Sequence, residues 1–273
     1  MPDTGESAVP PYVDTTRPHP ARVYDYWLGG KDNYPVDEEL GARILALEPG
    51  VRDLARANRA FMRRVTGWAA GEGIRQFLDI GTGIPTEPNL HQVSQAIAPE
   101  SRVVYCDNDP IVLAHAEALM TGTPQGATAY IQADFRDPAK ILEQAAETLD
   151  LSEPVQLSLI ALLHFVSDEQ GAREVTARLA DELAPGSTLV ITHASYPPGA
   201  EWKEDTGKLY EGSRVMPALR SEEEIRTLFR DFTLVEPGLV HASAWRPELD
   251  GSASEGAGLA ASLPFYAGVG RKG

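Results

Sequence analysis

A handful of residues in this chain have the types and spacings that serve a nucleotide-like ligand. Asp79-Ile80-Gly81-Thr82-Gly83 sets an acid two positions before a pair of glycines. The glycines let the backbone turn sharply and approach a ligand that a side chain would push away. Asp107 stands 24 positions past Gly83, where a carboxylate accepts both hydroxyls of a ribose. Asp134-Phe135 joins an acid that accepts from an exocyclic amine to a ring that lies against a purine. The alternative for Asp134 is a helix cap ahead of Pro138. His164 is a candidate base, because free histidine titrates near ~6.5, or else a wall residue offering backbone contacts. Asp32-Asn33-Tyr34, directly after Gly29-Gly30, form a polar loop placed to lie over a ligand.

These residues need elements to hold them. Phe77, Leu78 and Ile80 read as a short buried strand that feeds the glycine turn, and Leu90, Val93 and Ile97 mark a helix after it. Val103–Asp107, Ala127–Ala133, Val155–Leu163 and Thr188–Thr192 read as four further strands, the fourth nearly all apolar and therefore central. Helical segments near Ile111–Met120, from Pro138 and over Asp168–Leu183 separate them. Such alternation implies a parallel, right-handed sheet. Gly81, Asp107, Asp134 and His164 then fall together at the C-terminal strand ends, the edge where such sheets bind ligands. His193 follows strand five directly. Phe232–Val235 and Phe265–Val269 complete a seven-stranded, mostly parallel sheet with an antiparallel last strand.

Ahead of the sheet, residues 1–20 hold five prolines and read as an arm or strap. Three helices follow, at Ala21–Gly30 (Tyr24, Trp27 and Leu28 clustered), Val36–Leu47 and Val51–Ala70. The expected division is an arm and helical cap over residues 1–73 and a sheet domain over 74–273. Arg52, Arg56, Arg59, Arg63 and Arg64 share the third helix, and a solvated, acid-paired face outweighs a nucleic-acid groove in a chain of net charge −16. Ser195–Ala218, rich in Pro, Gly and charge, reads as a lid or substrate wall. Asp250–Ser262 reads as a flexible loop.

With 273 residues, 42% hydrophobic and 23% charged, the composition is that of a water-soluble α/β chain. A single cysteine, Cys106, fits a reducing cytoplasm. No apolar run nears membrane-spanning length, so a cytoplasmic location without membrane contact is expected. The histidine and cysteine spacings suggest no metal site. Asp107-Asn108-Asp109 begins like a calcium loop but lacks the later ligands.

The order of motifs over about residues 74–270 resembles class I S-adenosylmethionine methyltransferases, whose first motif is Asp-x-Gly-x-Gly. Ala21–Tyr34 joined to Phe77–Thr86 resembles, more specifically, a bacterial family known as S-adenosyl methyltransferases, common in actinomycetes, and this likeness spans nearly the whole chain. It implies S-adenosylmethionine as cofactor and a Rossmann-like fold, and leaves the acceptor open. By motif it implies that Gly81, Thr82 and Gly83 shape the cofactor loop and that Asp79 supports the methionine amino group. Asp107 would hold the ribose, and Asn108, Asp134 and Phe135 would frame the adenine. Backbone groups of Leu163 and His164 would lie near the sulfonium, with Asn33 and Tyr34 closing over the cofactor. Many class I enzymes carry a third glycine where Pro85 stands, which leaves the path of the loop open. The expected acceptor is a small molecule, methylated on oxygen or nitrogen, because the strand-four end lacks the Asn/Asp-Pro-Pro-aromatic motif of base and amide N-methyltransferases. A non-catalytic S-adenosylmethionine-binding regulator is the alternative. An NAD enzyme is a third reading, weakened by Thr86 where a dinucleotide fingerprint wants glycine.

Overall fold

Five strands, all but the third buried along most of their length, and cross-connected by helices, form the centre of the molecule. They are β1 (Gln76–Ile80), β2 (Arg102–Asp107), β3 (Ala127–Gln132), β4 (Val155–Ile160) and β5 (Thr188–Ala194). All pair in parallel. β6 (Thr233–Leu234) and the short β7 (Val240–His241) both pair antiparallel to β8 (Phe265–Arg271), which itself runs antiparallel to β5. The sheet is eight-stranded in the order β3-β2-β1-β4-β5-β8-β6, with β7 added beside β8. This computed structural model describes residues 14–112, 122–196, 217–250 and 264–273.

Alternation along each strand divides the core between two faces. Leu78, Ile80, Val104, Leu157 and Ile191 pack with residues of α5 (Pro138–Ala145), α6 (Ala172–Asp181) and α7 (Glu222–Thr227). Phe77, Val103 and Tyr105 pack instead with Met62 and Ala69 of α3 (Val51–Gly71) and Leu90 of α4 (Leu90–Ile97). α3 reaches further, placing Phe61 and Val65 against Val190, Trp245 and Val269. Above it, α1 (Pro20–Leu28) and α2 (Pro35–Leu47) share a small core of Val23, Leu40, Ile44 and Val51. Pro20 and Pro35 each open a helix, where the missing N–H costs nothing, and Gly29 at φ 82° closes α1.

Strand order reverses between β1 and β4, so the crevice of the sheet opens beyond their C-terminal ends. Two differences from the sequence reading matter there. β4 stops at Ile160 and not at Leu163, because Ala161 takes a left-handed φ of 55° and turns the chain into a single 3-10 turn at Leu163–Phe165. β5 runs on through His193, which is therefore a strand residue. Much of the proline-rich arm, the helix expected to run on to Met120, most of the Ser195–Ala218 wall and nearly all of the Asp250–Ser262 loop lie outside the described residues.

Candidate active site

The crevice is a cavity of about 620 Å³. One side is built from the turns after β1, β2 and β3. Gly81 and Gly83 both have left-handed φ values, 77° and 68°. A Cβ on Gly81 would come within 2.8 Å of Leu162 Cδ1, so the two turns at the strand-order reversal touch. A Cβ on Gly83 would lie 3.9 Å from that of Ala21, which puts α1 over the glycine loop. The loop is tied down from below: Gly81 N–H donates to Cys106 O at 2.8 Å, and Thr82 Oγ1 donates to Asp79 O at 3.0 Å. The path left open by Pro85 is set by α3, since Arg59 Nη2 donates to the carbonyls of both Thr86 and Pro88.

Four carboxylates line this cavity, Asp25 of α1 and, at the strand ends, Asp79, Asp107 and Asp134. Asp107 accepts from Gly83 N–H at 2.8 Å and Asp109 N–H at 2.9 Å, which fixes its orientation at the end of β2. Burial raises its pKa, and those two N–H donors partly offset the rise. Asp79 lies within the buried β1, and burial pushes it up to about 7 against the opposing pull of Arg59. Asp134 behaves oppositely: a fork of hydrogen bonds from Arg136 at 2.8 and 2.5 Å holds it below the usual carboxylate range. It does not cap α5, a task taken by Asp137, which accepts from Lys140 N–H. Asn108 and the buried Phe135 line the same end of the cavity.

The other side is mostly apolar. Leu28 of α1, Met62 of α3, Ile160, Ala161, Leu162, Phe165 and Val166 after β4, and Pro217 with Ala218 form it. Tyr24, Asn58 and Arg59 supply its polar corner. Tyr24 Oη donates to Ala55 O and accepts from Asn58 Nδ2, both at 3.0 Å.

The structure therefore brings Asp79, Gly81, Thr82, Gly83, Asp107, Asn108, Asp134 and Phe135 to one cavity. Leu163, His164, Asn33 and Tyr34 do not line it. The carbonyls of Leu163 and His164 already accept from Arg220 Nη1 and Ala218 N–H, at 2.8 and 2.7 Å. The early end of β4 explains the shift, because it puts Ile160–Leu162 on the cavity wall and turns the His164 ring inward. That ring packs against Phe165, His193 and Phe265. Burial, with His193 and Arg220 adding repulsion, keeps its pKa well below the histidine range, so at neutral pH it is an uncharged packing group. His193 is buried too, donating from Nδ1 to Ala194 O and accepting from Arg220 at Nε2.

Asn33 and Tyr34 build the cap itself. Asn33 Nδ2 and Asp32 N–H donate to the buried Asp25 at 2.8 and 2.9 Å, ordering the loop after Gly30. Tyr34 caps α2 beside Asp37, whose carboxylate also takes His19 N–H at 2.8 Å and lies 3.4 Å from Arg22 Nε. Sequence reading missed this Asp25 and Asp37 scaffold. It also missed Tyr24, Asn58 and Arg59 as cavity residues. The arginine-rich helix is not a solvated face throughout. Arg59 works at the cavity, and Arg64 is buried, bonded to Trp245 O, Ala242 O and Asp250 at 2.8, 2.7 and 2.6 Å.

No helix of the described residues is long and apolar enough to cross a membrane. A family model described as S-adenosyl methyltransferase matches residues 6–273. The chain is similar to a solved DUF574 family protein from Streptomyces avermitilis, at 43% identity and TM-score 0.88, covering 95% of this chain and 99% of that one. It is also similar to a solved candidate methyltransferase from Thermobifida fusca, at 38% identity and TM-score 0.85, covering 96% and 98% of the two chains. No curated protein matches it. The expectation of a class I methyltransferase fold holds, and the regulator alternative gains no support. The chain belongs to the S-adenosyl methyltransferase family, and its cofactor is S-adenosylmethionine.

Proposed function

We propose that this protein methylates a small-molecule acceptor bound in the apolar half of the cavity. The observation that carries this reading is a cavity of about 620 Å³ lined by Asp79, Asp107, Asp134 and Phe135 together with an apolar set from α1, α3 and the turn after β4. An acceptor must enter beneath that cap to reach the reacting methyl group, which favours a small molecule over a folded macromolecule. The formal charge of −16 argues against a polyanionic acceptor.

The donor set fits the cofactor. Asp79 would take the methionine ammonium, Asp107 the ribose hydroxyls, and Asn108, Asp134 and Phe135 the adenine, with Gly81, Thr82 and Gly83 giving close backbone approach. S-adenosylmethionine supplies an electrophilic methyl on a sulfonium, transferred in line to a nucleophile. The protein contributes alignment and exclusion of water, through Ile160, Leu162, Phe165 and Pro217 on one side and the cap on the other. Residues 1–73 act as that cap, and 74–273 as the methyltransferase domain. His164 lies behind the wall, so no histidine base is available from β4. This favours acceptors whose oxygen or nitrogen nucleophile loses its proton to solvent or carries none.

The test is formation of S-adenosylhomocysteine from S-adenosylmethionine with panels of phenols, carboxylates and amines, set beside panels of peptides and nucleic acids. Turnover with a small molecule supports the reading. Turnover only with a peptide or a nucleic acid overturns it.

A further inference from the structure

Two groups of opposite charge face the cavity near the glycine loop without pairing. Arg59 of α3 and Asp79 of β1 both line it, yet no ion pair within 4.0 Å joins them among the described residues. Each still feels the other: Arg59 pulls the Asp79 pKa down, and Asp79 pulls that of Arg59 up. Leaving two partly desolvated charges apart is costly unless something charged comes between them. Arg59 spends only Nη2 on Thr86 O and Pro88 O; Nε and Nη1 make no hydrogen bond to the described residues. Beside it Asn58, 1% exposed, has its Oδ1 unpartnered.

We propose that Arg59 binds the α-carboxylate of the cofactor, and that with Asp79 it makes the site select nucleosides bearing a zwitterionic amino-acid end. The inference rests on the methyltransferase reading and assigns a residue to the part of the cofactor that the sequence motifs left unassigned. With Nη2 held by the two carbonyls, Arg59 still offers its charge and the Nη1 and Nε donors; a carboxylate takes a charge-assisted hydrogen bond from Nη1, and the ammonium on the same carbon then lies toward Asp79. Because Arg59 also holds the carbonyls after the glycine turn, the same side chain makes α3 part of the cofactor site.

The experiment titrates wild type, Arg59→Gln and Arg59→Lys with S-adenosylhomocysteine and with methylthioadenosine, the thioether nucleoside that lacks the amino-acid end. Arg59→Gln is expected to weaken S-adenosylhomocysteine about 30-fold, the scale of a charged hydrogen bond, and to leave methylthioadenosine within about twofold. Arg59→Lys keeps the charge but not the planar donor geometry, and is expected to fall between. Equal loss for both ligands would overturn the inference, because Arg59 would then act only as a pin for the loop. A wild type that binds neither ligand would overturn the methyltransferase reading itself, and this inference with it.

Discussion

At the scale of single residues, the site turns on how burial and a guanidinium partner set two acids, Asp79 and Asp134, apart. Asp134 is held ionised by Arg136, whereas Asp79 sits near its titration point, pushed up to about 7 by burial. A cofactor carrying an ammonium favours ionised Asp79, so binding below that pKa releases a proton. Affinity for S-adenosylhomocysteine should therefore rise as pH increases from about 6 to about 8, by up to about tenfold per unit below the pKa, and flatten above it. Asp79→Asn should bind weakly with little dependence on pH over that range. Titrations at several pH values check this, and a wild-type affinity that is flat or falls with pH would contradict it. Asp79, Asp107 and the glycine pair were legible in the sequence because each is tied to a strand end by short spacing. Arg59 was not, since its role comes from α3 lying across a loop 27 residues further along the chain.

At the scale of elements, the two turns at the centre of the sheet are set against each other. The turn after β1 needs glycine because of its φ of 77° and the 2.8 Å approach of Leu162 to a Cβ at Gly81. Gly81→Ala should cost about 1–2 kcal/mol of stability from the left-handed backbone alone. It should also push Leu162 toward the cavity and lower cofactor affinity at least about tenfold. Urea unfolding and a cofactor titration measure the two effects, and an alanine variant with native affinity would contradict the close approach. The end of β4 shows where sequence reading ran short. Val155–Leu163 is apolar throughout, so no change of pattern marks Ala161, and an alanine at φ 55° carries no turn signature. The three residues of overrun moved His164 from the wall of the site into the core.

At the scale of the molecule, α3 joins the parts. Its one face packs on the sheet, its N-terminal half meets α1 and α2, and Arg64 reaches residues near position 245. Removing that guanidinium leaves the carbonyls of Ala242 and Trp245 and the carboxylate of Asp250 without their donor. Arg64→Met should cost about 3 kcal/mol, read by urea unfolding, while leaving cofactor affinity within about twofold. A change under about 0.5 kcal/mol would contradict the pin. The alternating βα order and the three leading helices were readable from periodicity, and the antiparallel last strand from the resemblance to class I methyltransferases. Which buried charges would knit the cap to the sheet was not, because Asp25, Asp37 and Arg64 are short-range ambiguous residues whose partners are set only by the fold.

The central claim is that this cavity is the S-adenosylmethionine site of a methyltransferase. Calorimetric titration with S-adenosylmethionine, S-adenosylhomocysteine and NAD, beside an Asp107→Ala variant shown to be folded, tests it most directly. The account predicts saturable binding of the first two, no binding of NAD, and loss of binding in the variant. Binding of NAD alone, or no binding to well-folded wild type, would contradict it.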